Sequence, residues 1–355
     1  MRVVPPLKIT DALLTSSGVV EPAAPAAYNP ATAYAAGAIV AVAADFTIYE
    51  SLEDANTGHT PKSSTTWWRI LGPTETAYNA ATAYALGDTV YSADTHRCYE
   101  SLQAGNTGNP LPVPPETQTA WWIDVGPTNK WAMFDLLRNT QTVCASPLTV
   151  TVTPGQRIDS VALLGLAATS VTVELTNGGA TTYYTRTEDL NAREIADWYD
   201  YFFEPFGWRP SVVLFDLPPF SDGVLNVTIA NSIGNAKCGA LVVGSYQYIG
   251  AAQYNGESDA LNFSTVDRDA YGTATLVRRR SIPKATISTI VNKGVVNAIR
   301  DLRTALNAEP AVWSGWDDTS DDYAEAFLIL GFYRKFTINA AYPTDAVVGL
   351  ELEEI

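Results

Sequence analysis

The sequence predicts a mainly-β protein: two small β modules in tandem, then a β-sandwich domain with one covering helix. Three observations predict it: a duplicated stretch of about 50 residues, short alternating apolar runs bounded by turn residues, and one segment with helical periodicity. The chain has 355 residues, 46% of them hydrophobic and 17% charged. Such a chain can bury sizeable cores, and its length favours two or three domains.

The opening residues, 1–26, are predicted to form an N-terminal arm and linker. The segment 21–25 reads Glu-Pro-Ala-Ala-Pro, and its two prolines discourage regular structure. We expect the opening residues, 1–26, to dock as an arm on a neighbouring molecule.

The duplicated stretch divides into two modules, residues 27–75 and 76–128. Both copies contain a Tyr-Asn start, a Thr-Ala-Tyr-Ala-x-Gly segment, a Tyr-Glu-Ser-Leu run, an Asn-Thr-Gly turn and a Trp-Trp pair. A Pro-rich insertion, 111–115, lengthens the second copy before its Trp pair. Strands are predicted at 38–42 and 88–91. Units this small bury few apolar residues, so each needs its large aromatic side chains to fill its core.

Residues 129–355 are predicted to form the β-sandwich body, which anchors and oligomerises. Its predicted strands are 148–153, 160–165, 170–175, 211–215, 225–229, 238–244, 271–279, 332–338 and 347–352. The connection 189–206 is too aromatic for a solvated loop, so we expect it to pack against the sheet or another subunit. Residues 294–307 predict the covering helix, because Val295, Ile299, Leu302 and Leu306 share one stripe.

Charge and cysteine content exclude several classes of protein. The formal charge of −16 and the pI near 4.5 argue against a nucleic-acid or anionic-membrane partner, which would need clustered Lys and Arg. No apolar run approaches the roughly 20 residues of a membrane span, and the N-terminus lacks a signal-peptide core. We therefore expect synthesis and assembly in a cytoplasm. Three scattered cysteines, Cys98, Cys144 and Cys238, indicate free thiols.

The sequence contains no strong motif for catalysis or metal binding, so we expect no cofactor, no metal and no enzymatic activity. His96 and Cys98 have no second Cys/His pair, and the acidic segment 317–322 lacks the glycine and terminal glutamate of a calcium loop. Neither His59 nor His96 accompanies an obvious nucleophile with an orienting acid. Paired carboxylates for glycoside cleavage remain open, because their separation is a tertiary property.

Each module resembles the chitin-binding type of carbohydrate-binding module, families 5 and 12. The pattern of that type is an aromatic start, Tyr-x-x-Gly-x-x-Val, a Tyr, a Pro and a closing Trp. It maps onto Tyr34 to Val40, Tyr49, Pro61 and Trp68, and again onto Tyr84 to Val90, Tyr99, Pro110 and Trp122. The usual starting Trp is replaced by Tyr28 and Tyr78. The resemblance implies structural roles for Tyr34, Tyr49, Trp68, Tyr84, Tyr99 and Trp122.

The Trp pairs carry the binding hypothesis. If each pair lies on a strand, successive side chains point to opposite faces, so one indole plugs the core while the other faces outward. Since Trp68 and Trp122 match the Trp of the family, Trp67 and Trp121 are the candidate platforms for stacking on a pyranose ring. Tyr28 and Tyr78 are the next candidates. Alternatively, these outward aromatics attach the module to its neighbours in an assembly.

The whole layout resembles virion proteins of tailed bacteriophages. These often open with Pro-Pro-x-x-Ile-Thr-x-x-x-Leu-x-Ser-Ser, as residues 5–17 do, carry one or two such modules and continue into a β-rich body. The resemblance implies a tail or tail-tip protein of the virion, assembled in the host cytoplasm. Implied partners are other tail proteins, copies of itself in a trimer or hexamer, and a host-surface glycan held by multivalent contacts.

Two alternatives to this function remain. One is a purely structural tail, attachment or capsid-decoration protein whose modules make only protein–protein contacts. The other is a tail enzyme that degrades polysaccharide.

Overall fold

A computed structural model divides the chain into two compact units. The first unit combines Met1–Gly18 with Met133–Ile355, and the second is Val19–Ala132. The structure describes residues 1–19, 26–42, 47–73, 76–114, 117–179, 181–192, 197–203, 207–268, 271–316, 318, 321 and 323–355. The predicted linker segment 21–25 lies outside these residues, as do parts of the predicted insertion 111–115, of the aromatic connection and of the acidic segment 317–322.

The described residues are dominated by strands. The first unit opens with β1 (Arg2–Val4) and β2 (Leu14–Ser17). The second unit contains β3 (Ile39–Val42), β4 (Thr47–Ser51), β5 (Trp68–Pro73), β6 (Thr76–Ala77), β7 (Thr89–Ser92), β8 (Arg97–Ser101) and β9 (Trp122–Pro127).

The remaining strands belong to the first unit. They are β10 (Thr142–Cys144), β11 (Leu148–Val152), β12 (Ser160–Leu164), β13 (Ser170–Thr176), β14 (Thr182–Asp189), β15 (Ser211–Leu214), β16 (Val224–Ala230), β17 (Ala236–Cys238), β18 (Ala240–Gly244), β19 (Gln247–Tyr248), β20 (Ala251–Ala252), β21 (Glu257–Asn262), β22 (Thr265–Arg268), β23 (Ala274–Val277), β24 (Ser281–Asn292), β25 (Ala311–Ser314), β26 (Leu328–Asn339) and β27 (Asp345–Glu354).

Helices are few and short. They are α1 (Trp198–Phe203), α2 (Val296–Ala305) and 3-10 turns at Ala132–Phe134, Lys293–Val295 and Glu325–Phe327. The predicted mainly-β fold is confirmed. No helix within the described ranges has the length and apolar character needed to cross a membrane.

The second unit holds two copies of one small sheet. Its strands run in the orders β3-β4-β5 and β6-β7-β8-β9. Each central strand shifts register at the same place, between Ile48 and Tyr49 in β4 and between Cys98 and Tyr99 in β8. The duplication seen in the sequence therefore extends to the local backbone.

The body contains more than one pair of sheets. A five-stranded sheet has the order β14-β13-β16-β11-β2, and a three-stranded sheet has the order β15-β12-β18. Every residue of β12 is buried. Its Ala162 and Leu164 join a core with Val4, Val312 and Leu330, while the alternate side chains of β12 are buried on the other face. A strand buried on both faces explains the continuous apolar run at 161–164.

The third large sheet carries the covering helix. It has the order β19-β1-β25-β26-β27-β24-β20, with β21 also paired to β24. From α2 and the residue after it, Ile299 and Leu306 enter the core beside Trp313 and Leu350. Val295 departs from the predicted stripe and is exposed, because it lies in the 3-10 turn before the regular helix begins.

Residues 1–18 are part of the body. This placement differs from the separate arm that was predicted over residues 1–26. β1 pairs with β25 and β19, and β2 pairs with β11, all antiparallel. The amino group of Met1 donates a hydrogen bond of 2.7 Å to the carbonyl oxygen of Gly250. Val3, Val4 and Leu14 are buried, so the segment gains both backbone pairing and apolar burial from the sheets of its own chain.

The aromatic connection between β14 and β15 forms α1. Its aromatic side chains are 53–79% exposed: Trp198, Tyr199, Tyr201, Phe202 and Phe203. This segment was expected to pack against a sheet of its own chain or against another subunit. No sheet of its own chain covers the described residues of the segment. Coverage by a second subunit stays a prediction.

Candidate functional site

Each module is built around three aromatic rings with the same mutual geometry. In the first, Tyr28 stacks on Tyr34 at 6.0 Å between ring centroids, and Trp68 meets both rings edge-on at 5.8 and 5.3 Å. In the second, the corresponding distances among Tyr78, Tyr84 and Trp122 are 6.2, 5.8 and 5.3 Å. Offset and edge-to-face contacts are the favoured arrangements of aromatic pairs. The duplicated feature is thus a packed aromatic cluster.

The two indoles of each Trp pair are in different environments. Trp68 and Trp122 are buried at the centre of each cluster with Tyr49 and Tyr99, and Trp67 and Trp121 pack partly buried at its side. Strand alternation is not the cause of this division. Trp67 and Trp121 precede the first residue of β5 and β9, and Trp67 lies in a turn in which both Trp67 N–H and Trp68 N–H donate to Ser64 O.

A buried asparagine fixes the Trp pair to the rest of each module. Asn106 Nδ2 donates to Ser101 Oγ at 3.0 Å and to Trp121 O at 3.3 Å, while its backbone pairs with Tyr84. Asn56 makes the equivalent bonds to Ser51 Oγ and Trp67 O. Both asparagines are 1% exposed. The repeated Asn-Thr-Gly marks both asparagines in the sequence as turn residues. A turn residue is not expected to be buried, so the motif does not predict their buried hydrogen bonds.

The modules differ at the residue three positions after that asparagine. In the first module it is His59, whose ring stacks on Trp67 at 3.8 Å and an interplanar angle of 10°. In the second it is Asn109, whose Nδ2 donates to Asn106 Oδ1 at 2.9 Å. His59 Nδ1 lies 3.0 Å from Asn56 Oδ1, and this acceptor oxygen assigns the ring proton to Nδ1. One face of the Trp67 indole is therefore covered by imidazole, whereas the corresponding residue of the second module, Asn109, has no ring to stack on Trp121.

The same residue, three positions after the buried asparagine, also anchors the core indole through its carbonyl oxygen. Trp68 Nε1 donates to His59 O at 2.7 Å, and Trp122 Nε1 donates to Asn109 O at 3.0 Å. The proline of the module pattern differs between copies: Pro61 is buried, but Pro110 is exposed and Pro112 is the buried proline of the second copy. In the second copy the burial therefore falls on a proline two positions after the one that the pattern marks.

Tyr28 and Tyr78, the secondary candidates, are partly buried. Tyr78 donates its hydroxyl to Asn109 O at 2.8 Å, whereas the hydroxyl of Tyr28 is buried with no hydrogen-bond partner in the described part of the chain. Burial, and then the neighbouring Tyr34 or Tyr84, raises the pKa of both phenols. Both rings are accordingly neutral at physiological pH and offer apolar surface rather than charge.

Among the described residues of the modules, the charged pairs do not repeat as the aromatic cluster does. In the first module Arg69 pairs with Glu50 between β4 and β5. In the second module Arg97 pairs with Asp124 at 2.6 Å between β8 and β9, at positions that do not correspond. What the two copies share is apolar stacking surface and buried hydrogen bonds.

The residues considered for metal binding or catalysis have structural partners. His96 stacks on Trp131 at 4.0 Å, and its carbonyl oxygen accepts from Thr128 N–H. Cys98, Cys144 and Cys238 form no disulfide bond. Within the described ranges, no group of three or more His, Cys, Asp or Glu side chains is placed to hold a metal ion.

Comparisons of this chain with protein-family models, curated proteins and solved structures find no match.

Proposed function

We propose that this chain is a structural protein of a tailed-bacteriophage virion, a tail or tail-tip component that displays two carbohydrate-binding modules for attachment to the host surface. The observation that carries the proposal is the near-identical aromatic cluster in two consecutive modules. Each cluster leaves part of a Trp and part of a Tyr accessible: Trp67 and Tyr28 in the first, Trp121 and Tyr78 in the second.

Binding would follow from stacking and repetition. The C–H face of a pyranose packs on an aromatic ring, and neutral phenols beside the indole widen the apolar platform. One such contact is weak, but two modules per chain and several chains per particle raise the effective concentration of binding sites. Because the covering His59 is replaced by Asn109, we infer that Trp121 is the more accessible of the two platforms.

A purely structural virion protein is the second candidate. It is favoured by one specific observation: all four candidate aromatics are partly buried against their own module rather than fully open. In that case the same surfaces would bind neighbouring virion proteins.

The proposal is tested by binding of the full chain to insoluble chitin and to a panel of immobilised bacterial cell-wall glycans. We expect retention of the wild type, a roughly tenfold weaker apparent affinity for Trp121→Ala, and a smaller loss for Trp67→Ala. His59→Asn, which uncovers the Trp67 face, should strengthen binding by the first module.

Two controls keep this test interpretable. Trp67→Phe and Trp121→Phe retain core packing but shrink the platform, so a binding loss there is not a folding defect. Ile70→Ala and Val125→Ala change exposed apolar residues of the same modules and should leave binding unchanged. Absence of glycan binding by folded wild type would rule out the attachment role and favour the structural candidate.

A further inference from the structure

A two-stranded arm protrudes from the edge of the largest sheet of the body. Residues 263–280, called the arm below, continue the β21–β24 ladder into the separate β22–β23 pair. Phe263 N–H donates to Arg280 O, and Arg279 N–H donates to Ser264 Oγ, so the two ladders are continuous through a bulge. At about 3.3 Å per residue the arm reaches roughly 20 Å beyond Asn262.

The arm is uncovered on both faces. Val266 and Leu276 are opposite each other on one face, and Val277 lies on the other face. Leu276 is 74% exposed, and Tyr271 at the tip is 94% exposed. A two-stranded hairpin alone is marginally stable in water, and uncovered strands with apolar side chains are surfaces for association. The arm therefore has the properties of a segment that is completed by a partner.

The charge of the arm is opposite to that of the rest of the chain. The arm, residues 263–280, contains four Arg and two Asp, which leaves 18 basic and 36 acidic residues elsewhere. Arg280 is fixed at the base of the arm by Glu354 at 3.1 Å. Arg278 and Arg279 are exposed, and neither has an ion-pair partner among the described residues. All three arginines line one open cleft with Asn262, Ser264 and Ser281.

A complementary surface is present on the same chain. The segment 197–204 reads Asp-Trp-Tyr-Asp-Tyr-Phe-Phe-Glu, and its helix α1 exposes five aromatic rings. Guanidinium groups stack on aromatic faces and pair with carboxylates, and the aliphatic residues of the arm match an apolar ring surface. Both surfaces expose apolar side chains, and the acidic sequence of the segment 197–204 is opposite in charge to the arginines of the arm.

We propose that the arm of one copy packs against the aromatic helix α1 of a second copy, through a head-to-tail contact between unlike surfaces. Such a contact joins successive copies and closes into a ring when the rotation between copies permits it. The inference concerns the body alone and does not depend on sugar binding by the modules.

The test measures the mass of the full chain in solution by gel filtration with light scattering. We expect the wild type to be a multiple of the 38.2-kDa chain. In the first variant an Asn-Gly turn replaces residues 263–280, closing the ladder between Asn262 and Ser281. Each of three variants should raise the dissociation constant of the assembly at least about tenfold. They are this deletion, the double substitution Arg278→Glu/Arg279→Glu and the double substitution Trp198→Ser/Phe202→Ser.

Matched controls change equally exposed residues elsewhere. Lys8→Glu/Arg157→Glu makes the same change of charge, and Val125→Ser/Ile233→Ser removes similar apolar side chains. Both control variants should assemble as the wild type does. Because every substituted side chain is exposed, the circular dichroism of the substitution variants should match that of the wild type, whereas the deletion variant should lose only the strand signal of β22 and β23.

Complementation identifies which surfaces meet. The arm-deleted chain retains α1, and the α1 variant retains the arm, so a mixture of the two should form a complex that neither forms alone. A monomeric wild type, assembly that survives deletion of the arm or loss of the α1 aromatics, or failure of the mixture to associate would each overturn the proposal. Glycan binding is read separately on the same proteins, so its failure would not be confused with this one.

Discussion

Ala55 and Gly105 occupy the same position of the two modules, one residue before the buried asparagine. Both have left-handed backbone, with φ of 55° and 72°. This conformation costs an alanine about 1–2 kcal/mol but is open to glycine. A Cβ at Gly105 would meet no atom within 4 Å, so the difference between the modules at this position is one of backbone conformation alone.

We expect Ala55→Gly to stabilise the first module by about 0.5–1 kcal/mol and Gly105→Ala to destabilise the second by a similar amount. Hydrogen exchange of the full chain, followed by mass spectrometry of module peptides, measures both changes. Gly234→Ala, at a glycine with ordinary φ and open space, is the control. Unchanged exchange in both modules would show that the left-handed conformation is not the cause of strain.

The hydrogen bonds of Asn56 and Asn106 connect separate elements of each module. Asn106 links the last residue of β8, the bridge at Tyr84 and the carbonyl oxygen just before β9. These elements are too short to hold one another by strand pairing alone. The buried amide therefore determines where the Trp pair sits relative to the sheet, and so the orientation of the candidate platform.

Asn106→Ala should destabilise the second module by about 2–3 kcal/mol, because it leaves Ser101 Oγ, Trp121 O and Asn109 Nδ2 without their buried partner. The expected readout is faster hydrogen exchange in residues 76–128. Residues 27–75 of the same protein serve as the internal reference, and Asn56→Ala should reverse the pattern. Equal exchange in the two modules of either variant would contradict this role.

Across the whole molecule the three thiols differ in accessibility. Cys238 is buried in the body, and burial raises the pKa of its thiol to about 12. A raised pKa means that the folded state holds its proton where the unfolded state releases it. This contribution to stability is complete below pH 9 and falls as the pH rises from about 9 to about 12.

At pH 8 we expect iodoacetamide to modify the partly exposed Cys144 first, and Cys238 only after unfolding, because the thiolate is the nucleophile. Peptide mapping after timed labelling, with and without denaturant, measures the order. Modification of Cys238 in the native protein at the rate of Cys144 would show that this part of the core opens readily.

Local periodicity explains how much of the fold was predicted. The strands β11, β12, β13 and β16 and the helix α2 were expected within a few residues of their bounds, since alternation and the 3.6-residue period are properties of neighbouring residues. The long strand β24 and the edge strand β14 were not expected, and the opening segment was assigned to an arm. Residues Arg2–Val4 pair with Ala311–Ser314, about 300 positions away, and no local pattern encodes such a partner.

The sequence by itself determined the mainly-β class, the duplication of the modules and the aromatic composition of their clusters, because these depend on residue type and spacing. Only the tertiary structure decided which atoms cover the Trp rings, which side chains satisfy the buried asparagines, and which apolar surfaces, those of α1 and the arm, remain open. Burial and hydrogen bonding are properties of residues distant in the chain, and they exist only once the strands have paired.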